Sequence, residues 1–332
     1  NMFGGSVVKT VKFPSTLKEI GASAFSSCAN LEQINLPESL EIIGEQAFNG
    51  CQKVSYLKIN SNNCIYNTSS YNSTRPAEVF GSFGRAEEIQ EKGLTVEFGD
   101  AVKTIAGTSL GFKNTNLKKV IFSSNTETIK AGTFRDCKGL EDVTLPENLV
   151  TIEDWAFENC EGFKKIEIPK NVTTIKSDAF KGCTNVEKVV IHGNISSSAR
   201  VFADVGKTAT DKKGGKVGVE AEFSEGVTKI GHNLFRDGLI KTVKFPSTLK
   251  EIGKYTFLNC PNLERVELPA SLTKVGEEAF NGCNKVSYLK INSDDCIYET
   301  SSYNSMRPAE VFGSFGRAEE IQEKGLTVEF GD

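Results

Sequence analysis

The stretch Ile34–Cys51, INLPESLEIIGEQAFNGC, carries apolar residues at 34, 36, 40, 43, 47 and 48 and then a cysteine. Neither a helix period nor a strand period fits the whole of it. Ile34 and Leu36 alternate with polar Asn35, which is the period of a half-buried strand. Pro37 ends that ladder, because it has no N–H to donate and fixes its own φ. Leu40 and Ile43 return to the interior as a short extended segment on the opposite side. Ala47, Phe48 and Cys51 stand at helix-like offsets, which predicts a single helical or 3₁₀ turn stopped by Gly50. One strand and one turn cannot bury such an apolar side alone. Stacked copies, spaced about 4.8 Å apart as strands are, would join those sides into a continuous core.

The copies are present. LEDVTLPENLVTIEDWAFENCEG begins at Leu140, FKKIEIPKNVTTIKSDAFKGCTN at Phe163 and LERVELPASLTKVGEEAFNGCNK at Leu263, and degraded versions begin near Val8, Leu94, Leu117, Val217 and Ile240. A repeat this persistent sets the fold class before any other signal. A larger duplication lies over it. Residues 1–100 align without gaps on 233–332 with three positions in four identical, and 75–100 repeat letter for letter as 307–332. Changes inside the apolar pattern are mild, Ile34 to Val266 and Ile43 to Val275, whereas between apolar positions Glu41 becomes Thr273 and Ala22 becomes Lys254. The expectation is a single right-handed, leucine-rich-repeat-like solenoid over 1–332, of roughly thirteen coils, made of short parallel strands with brief helical or 3₁₀ turns. Both ends read as the middle of a unit, as if cut from a longer chain. Such ends would leave apolar edges open to end-to-end self-association.

Three units break the period, at about 60–93, 192–216 and 292–325. The first opens on an Asn/Ser/Thr-rich run and contains RAEEIQEK, residues 85–92, a short helix by pattern that Gly93 would close. Val79, Phe80 and Phe83 could pin it to the solenoid. These units are either bulging coils that change curvature or loops that face a ligand.

The 332 residues are 38% apolar and 25% charged, with a net charge of −4 and no basic block, which argues against a nucleic-acid groove. No apolar run reaches the ~18–20 residues of a membrane span. Of nine cysteines, Cys28, Cys51, Cys137, Cys160, Cys183, Cys260 and Cys283 share one repeat position, and Cys64 and Cys296 share another. No C-x-x-C occurs, so core thiols are expected rather than zinc ligands or a redox pair. GKT at 206–208 lacks the first glycine of a phosphate loop, since Val201 stands there. No cofactor loop or metal set is read. Asn67, Asn72, Asn171 and Asn194 head N-x-S/T triplets. The two histidines, His192 and His232, have no partner at a spacing readable from sequence. An enzyme is therefore not expected. Its only place would be an irregular unit, and its sign would be two or more of His192, His232 and a carboxylate within hydrogen-bond reach.

The consensus L-x-x-I-x-L-P-x-x-L-x-x-I-G-x-x-A-F-x-x-C resembles the BspA-like leucine-rich repeats of bacterial and protozoan surface proteins. That resemblance implies a curved solenoid, an extracellular or cell-surface place, and a part in adhesion or host interaction. Residues alternating with the core apolars would form the concave binding face. One row holds Lys12, Asn35, Lys58, Glu97, Thr144, Glu167, Lys244, Glu267 and Lys290. Its neighbour holds Gln33, Tyr56, Lys119, Asp142, Lys165, Lys188, Arg265 and Tyr288. Aromatic and arginine side chains tend to anchor interfaces. The candidate partner-binding residues are therefore Tyr56, Lys58, Lys119, Lys165, Lys188, Arg265, Glu267, Tyr288 and Lys290. The expected ligand is a protein or glycan, and the competing reading is a passive spacer that presents another domain.

Overall fold

A computed structural model describes residues 2–66, 79–106, 112–197, 199–209, 218–299, 311–312, 314–322 and 325–331. The triplets at Asn67 and Asn72, and much of each irregular unit, lie outside the described residues. The chain divides into two compact units, Asn1–Gly162 and Phe163–Asp332, each a parallel β-solenoid.

In the first unit one row of strands runs Gln33–Leu36, Tyr56–Ile59, Leu94–Phe98, Leu117–Ile121 and Asp142–Val143, with all neighbours parallel. Thr10 extends the row by a bridge to Gln33. In the second unit the row is Lys165–Ile168, Lys188–Ile191, Val219–Phe223, Ile240–Lys244, Arg265–Leu268, Tyr288–Ile291 and Thr327–Phe330. Two-residue strands such as Ile42–Ile43 and Lys274–Val275 form a second row in each unit. These are the segments that the sequence placed after the proline. Along the first row Ile34 and Leu36 are buried while Gln33 and Asn35 are exposed, which is the alternation read from INLP. The register confirms the period, since Gln33 faces Tyr56 and Arg265 faces Tyr288.

The segment expected to be a single helical or 3₁₀ turn keeps i→i+3 bonds, but only at every second amide. From Gly21 to Cys28, Ala24 N–H donates to Gly21 O, Ser26 N–H to Ser23 O and Cys28 N–H to Phe25 O, so every second amide closes a three-residue turn. The amides between them reach the next coil: Ser23 to Glu45 O, Phe25 to Ala47 O and Ser27 to Asn49 O. The same alternation recurs at Gly132, Phe134 and Asp136 and, in the second unit, at Asn233, Phe235 and Asp237. An α-helix would spend all these donors internally. Here half of them become a third inter-coil ladder, and left-handed residues such as Ser23, Ser27, Gln46 and Gly50 make the reversals. Regular helix is confined, among the described residues, to the 3₁₀ turns Glu87–Ile89 and Phe112–Asn114 and the α turn Glu319–Gln322. RAEEIQEK is thus a shorter helix than its pattern predicts.

Phenylalanines fill the interior in file. In the first unit Phe25, Phe48, Phe80, Phe112, Phe134 and Phe157 follow one another with ring centroids 5.2–6.2 Å apart. In the second, Phe180, Phe202, Phe235, Phe257, Phe280 and Phe312 do so at 5.0–5.8 Å. The irregular units join this file. Val79-Phe80, Val201-Phe202 and Val311-Phe312 take the place of the regular Ala-Phe pair, and Phe83 is fully buried beside Phe80. Each irregular unit is therefore one enlarged coil. Tyr56 faces Thr95, 39 residues on, and Lys188 faces Glu220, 32 residues on.

The shared cysteine ties its coil to the one before. The Cys51 thiol donates to Phe25 O at 3.1 Å, Cys160 to Phe134 O at 3.2 Å and Cys283 to Phe257 O at 3.2 Å. Burial pushes the Cys51 thiol up to about 12, which suppresses the reactive thiolate. No disulfide joins any of the nine cysteines, and only Cys64 and Cys296 are half-exposed. A disulfide-exchange reagent added to the native protein near pH 8 is expected to react, slowly, with those two thiols alone. The other seven should appear only in denaturant. Rapid reaction of Cys51 or Cys283 in native conditions would contradict this packing.

Candidate functional site

The outward side chains of the long strands form an uncovered face in each unit. In the first unit Tyr56 and Lys58 project from one strand, and both close on Glu97 of the next. The Tyr56 hydroxyl donates to Glu97 Oε2 at 2.5 Å, and Lys58 Nζ to Oε1 at 2.6 Å. Lys58 first and Tyr56 second hold the Glu97 carboxyl below the usual carboxylate range. Desolvation, with Glu97 beside it, pushes the Tyr56 phenol up to about 12. The ring is therefore neutral and fixed. Lys119 stands one strand further on, opposite Thr95, and is not brought to Tyr56.

In the second unit the duplicated residues repeat the arrangement. The Tyr288 hydroxyl donates to Glu329 Oε2 at 2.6 Å. Where Gln33 faces Tyr56, Arg265 faces Tyr288, and its guanidinium lies 3.5 Å from the ring centroid. Arg265 Nε also donates to Glu267. Lys290 lies on the same row between Glu267 and Glu329. A hollow of about 220 Å³ opens beside Arg265 and Glu267, lined also by Thr242, Lys244 and Phe245. Further along, Lys165 pairs with Glu167 at 2.5 Å and Lys188 with Glu222 at 2.7 Å. Thus Tyr56 and Lys58 meet through one carboxylate, and Arg265, Glu267 and Tyr288 meet directly. Lys165 and Lys188 are each tied to a glutamate of their own unit. Glu222 and Glu329 were missed by the sequence reading, because their pairing depends on the length of the enlarged coils.

The histidines were also incompletely read. His232 Nδ1 accepts the Lys254 N–H at 2.8 Å, a backbone support. His192 Nε2 lies 2.9 Å from Glu167 Oε1, and its Nδ1 lies 2.7 Å from Ser224 Oγ. The contact named from sequence as the sign of an enzyme, a histidine on a carboxylate, is therefore present at His192. The signal was the strand register: Ile168, Ile191 and Phe223 face one another, so His192 and Ser224, just past their strands, are neighbours, and Glu167 reaches His192 from one position before Ile168. Asn194, a glycosylation candidate by its triplet, spends its side-chain oxygen on the N–H groups of Thr228 and Lys229. Gly206 of the GKT run sits in a turn at φ 78°, its N–H on Cys183 O. No helix among the described residues is long and apolar enough to cross a membrane.

Comparison with known proteins matches the same pattern. The family model described as BspA type leucine rich repeat region fits residues 1–90, 108–209 and 219–310, in six copies. Among solved structures, a leucine-rich repeat protein from Bacteroides ovatus is 18% identical, with 85% of this chain and 87% of that one covered and a TM-score of 0.39. One from Eubacterium ventriosum is 19% identical, with 87% and 83% covered and a TM-score of 0.40. A leucine rich cell surface protein from Faecalibacterium prausnitzii is 15% identical, with 95% and 83% covered and a TM-score of 0.32. No curated protein sequence matches the chain. The repeated strand, the Ala-Phe pair and the closing cysteine, recurring along most of the sequence, place this chain in the BspA-type leucine-rich repeat family.

Proposed function

We propose that the chain is a non-enzymatic binding module, displayed outside the cell or on its surface, whose ligand is a protein or a glycan that docks on the outward strand rows. The observation that carries this reading is the tyrosine hydroxyl held by a carboxylate, Tyr56 on Glu97 and Tyr288 on Glu329, at the same place in both duplicated blocks. A ring already fixed loses little entropy when a partner covers it. Beside the rings, Lys58 in the first unit and Arg265, Glu267 and Lys290 in the second supply polar groups of both signs, and Lys119, Lys165 and Lys188 stand on other strands of the same rows. Membership of the repeat family supports surface display.

A second reading, a passive spacer, draws on the same face. Its charges are largely quenched in pairs such as Lys58–Glu97 and Lys188–Glu222, and exposed pairs of this kind add little to stability. Binding to arrays of extracellular-matrix proteins and glycans separates the two readings. The chain should retain at least one ligand, and Tyr56→Ala with Tyr288→Ala should weaken it about tenfold or more without changing the circular dichroism spectrum. A ligand held equally well by the double variant would move the site off these rows, and silence across both arrays would favour the spacer.

A further inference from the structure

Three polar side chains of the second unit, Glu167 of the outward row and His192 and Ser224 just past the two strands beside it, form a relay. Glu167 Oε1 lies 2.9 Å from His192 Nε2, and His192 Nδ1 lies 2.7 Å from Ser224 Oγ. Proton bookkeeping gives this relay a direction. Lys165 first and His192 second hold the Glu167 carboxyl below the usual carboxylate range, so Glu167 is an acceptor only. The ring nitrogen facing it must carry the hydrogen. In the neutral imidazole Nδ1 is then left with its lone pair, and the Ser224 hydroxyl must donate to it. A hydroxyl donating to the free nitrogen of a ring oriented by a carboxylate is the arrangement that activates a serine nucleophile. Ser224 follows the strand Val219–Phe223 and is half-buried, and the His192 side chain is 35% exposed, so a small molecule can reach both.

We propose that Ser224 is an activated nucleophile that accepts the acyl group of small, activated carboxylic esters. Ser224 Oγ forms the bond to the ester carbonyl carbon while its proton passes to His192 Nδ1. The carbonyl carbon–oxygen bond then breaks, and the alkoxide or phenolate leaves with the bonding pair. The imidazolium is held by Glu167 until it returns its proton to solvent. The Ser224 N–H is committed to Ile191 O at 3.0 Å, so the serine does not supply its own oxyanion donor. That restricts the reaction to esters with good leaving groups. The other charges around the ring are Lys165, on Glu167, and the Lys188–Glu222 pair on the neighbouring strands.

The test exposes the whole chain to p-nitrophenyl acetate and locates the acetyl group by peptide mass spectrometry. Ser224 should be acetylated ahead of every other serine and threonine. The rate at Ser224 should fall about a hundredfold or more in His192→Gln, the low end of what a positioned base contributes. Ser224→Ala should lose that adduct while lysine acetylation stays the same. In the unmodified chain the Ser224 rate should also drop in acid, a readout that needs no variant. Glu167→Gln, which acts through the ring, should alter that pH profile. Acetylation of Ser224 no faster than that of other hydroxyls, or a rate indifferent to His192→Gln and to acid, would overturn the proposal. Either result leaves the binding role of the tyrosine rows untouched.

Discussion

Phe134→Ala is expected to lower the unfolding free energy by about 4 kcal/mol, the middle of the range for truncating a buried phenylalanine. Phe134 is fully buried and stacks on Phe112 at 5.8 Å and Phe157 at 5.2 Å, while Phe98 and Phe122 meet it edge-on at 6.5 and 6.0 Å. Its removal therefore loses aromatic pairings as well as buried area. The cavity cannot close readily, because the coil is held to the next one by Gly132 N–H on Asp154 O, Phe134 N–H on Ala156 O and Asp136 N–H on Glu158 O. Trp155→Ala is the comparison. That side chain is 42% exposed and meets Arg135 at 5.9 Å, so its loss should cost under about 1 kcal/mol. Urea titration followed by circular dichroism measures both variants. Equal costs would mean that the file of rings is not what holds the coils together.

The phenylalanine file was legible because each coil spends the same letters on the same place. Even the enlarged coils announce it, with Val-Phe at 79–80, 201–202 and 311–312 standing for Ala-Phe. The turn after the short strand reads as a single helical or 3₁₀ turn because apolar offsets of one, three and four serve a chain of i→i+3 turns as well as a helix. The distinguishing signal lay one position before the cysteine. Ser27, Gly50, Asp136, Asn159, Gly182, Asn259 and Gly282 occupy it, all small or short-chain residues, and all sit at positive φ, which a right-handed helix forbids. The outward rows followed from simple alternation, so the places of Tyr56 and Tyr288 were readable. Their partners were not. Tyr56–Glu97 and Tyr288–Glu329 each span 41 residues across an enlarged coil whose length the repeat does not set. The His192 relay needed the same knowledge, since Ser224 lies 32 residues beyond the histidine.

Glycine at the residue after the short strand gives a second large effect, and one whose sign depends on the neighbouring coil. At Gly44 an added Cβ would stand 2.3 Å from Ala22 N and 2.7 Å from Ala22 Cα and from Gly21 C. All three are backbone atoms, and none can swing aside as a flexible side chain would. The coils there are held by Gly44 N–H on Ile20 O at 2.7 Å and by Glu41 and Ile42 N–H on Lys18 O. Gly44→Ala must therefore either compress that contact or break the Gly44 bond. Overpacking and one lost hydrogen bond together suggest about 3 kcal/mol of destabilisation. Gly21 holds the same repeat position one coil earlier, and a Cβ there would meet nothing within 4 Å. Gly21→Ala should be neutral, or stabilising by up to about 1 kcal/mol, because alanine restricts the unfolded chain more than glycine does. The repeat as a whole does not demand glycine here, since Lys130 and Glu153 follow the short strands Thr128–Ile129 and Thr151–Ile152. What demands it at Gly44 is the close approach of one backbone to another. Thermal unfolding of the two variants side by side decides the matter: a large drop for Gly44→Ala with none for Gly21→Ala locates the constraint between coils. Matched drops would place it in the conformation of the turn itself.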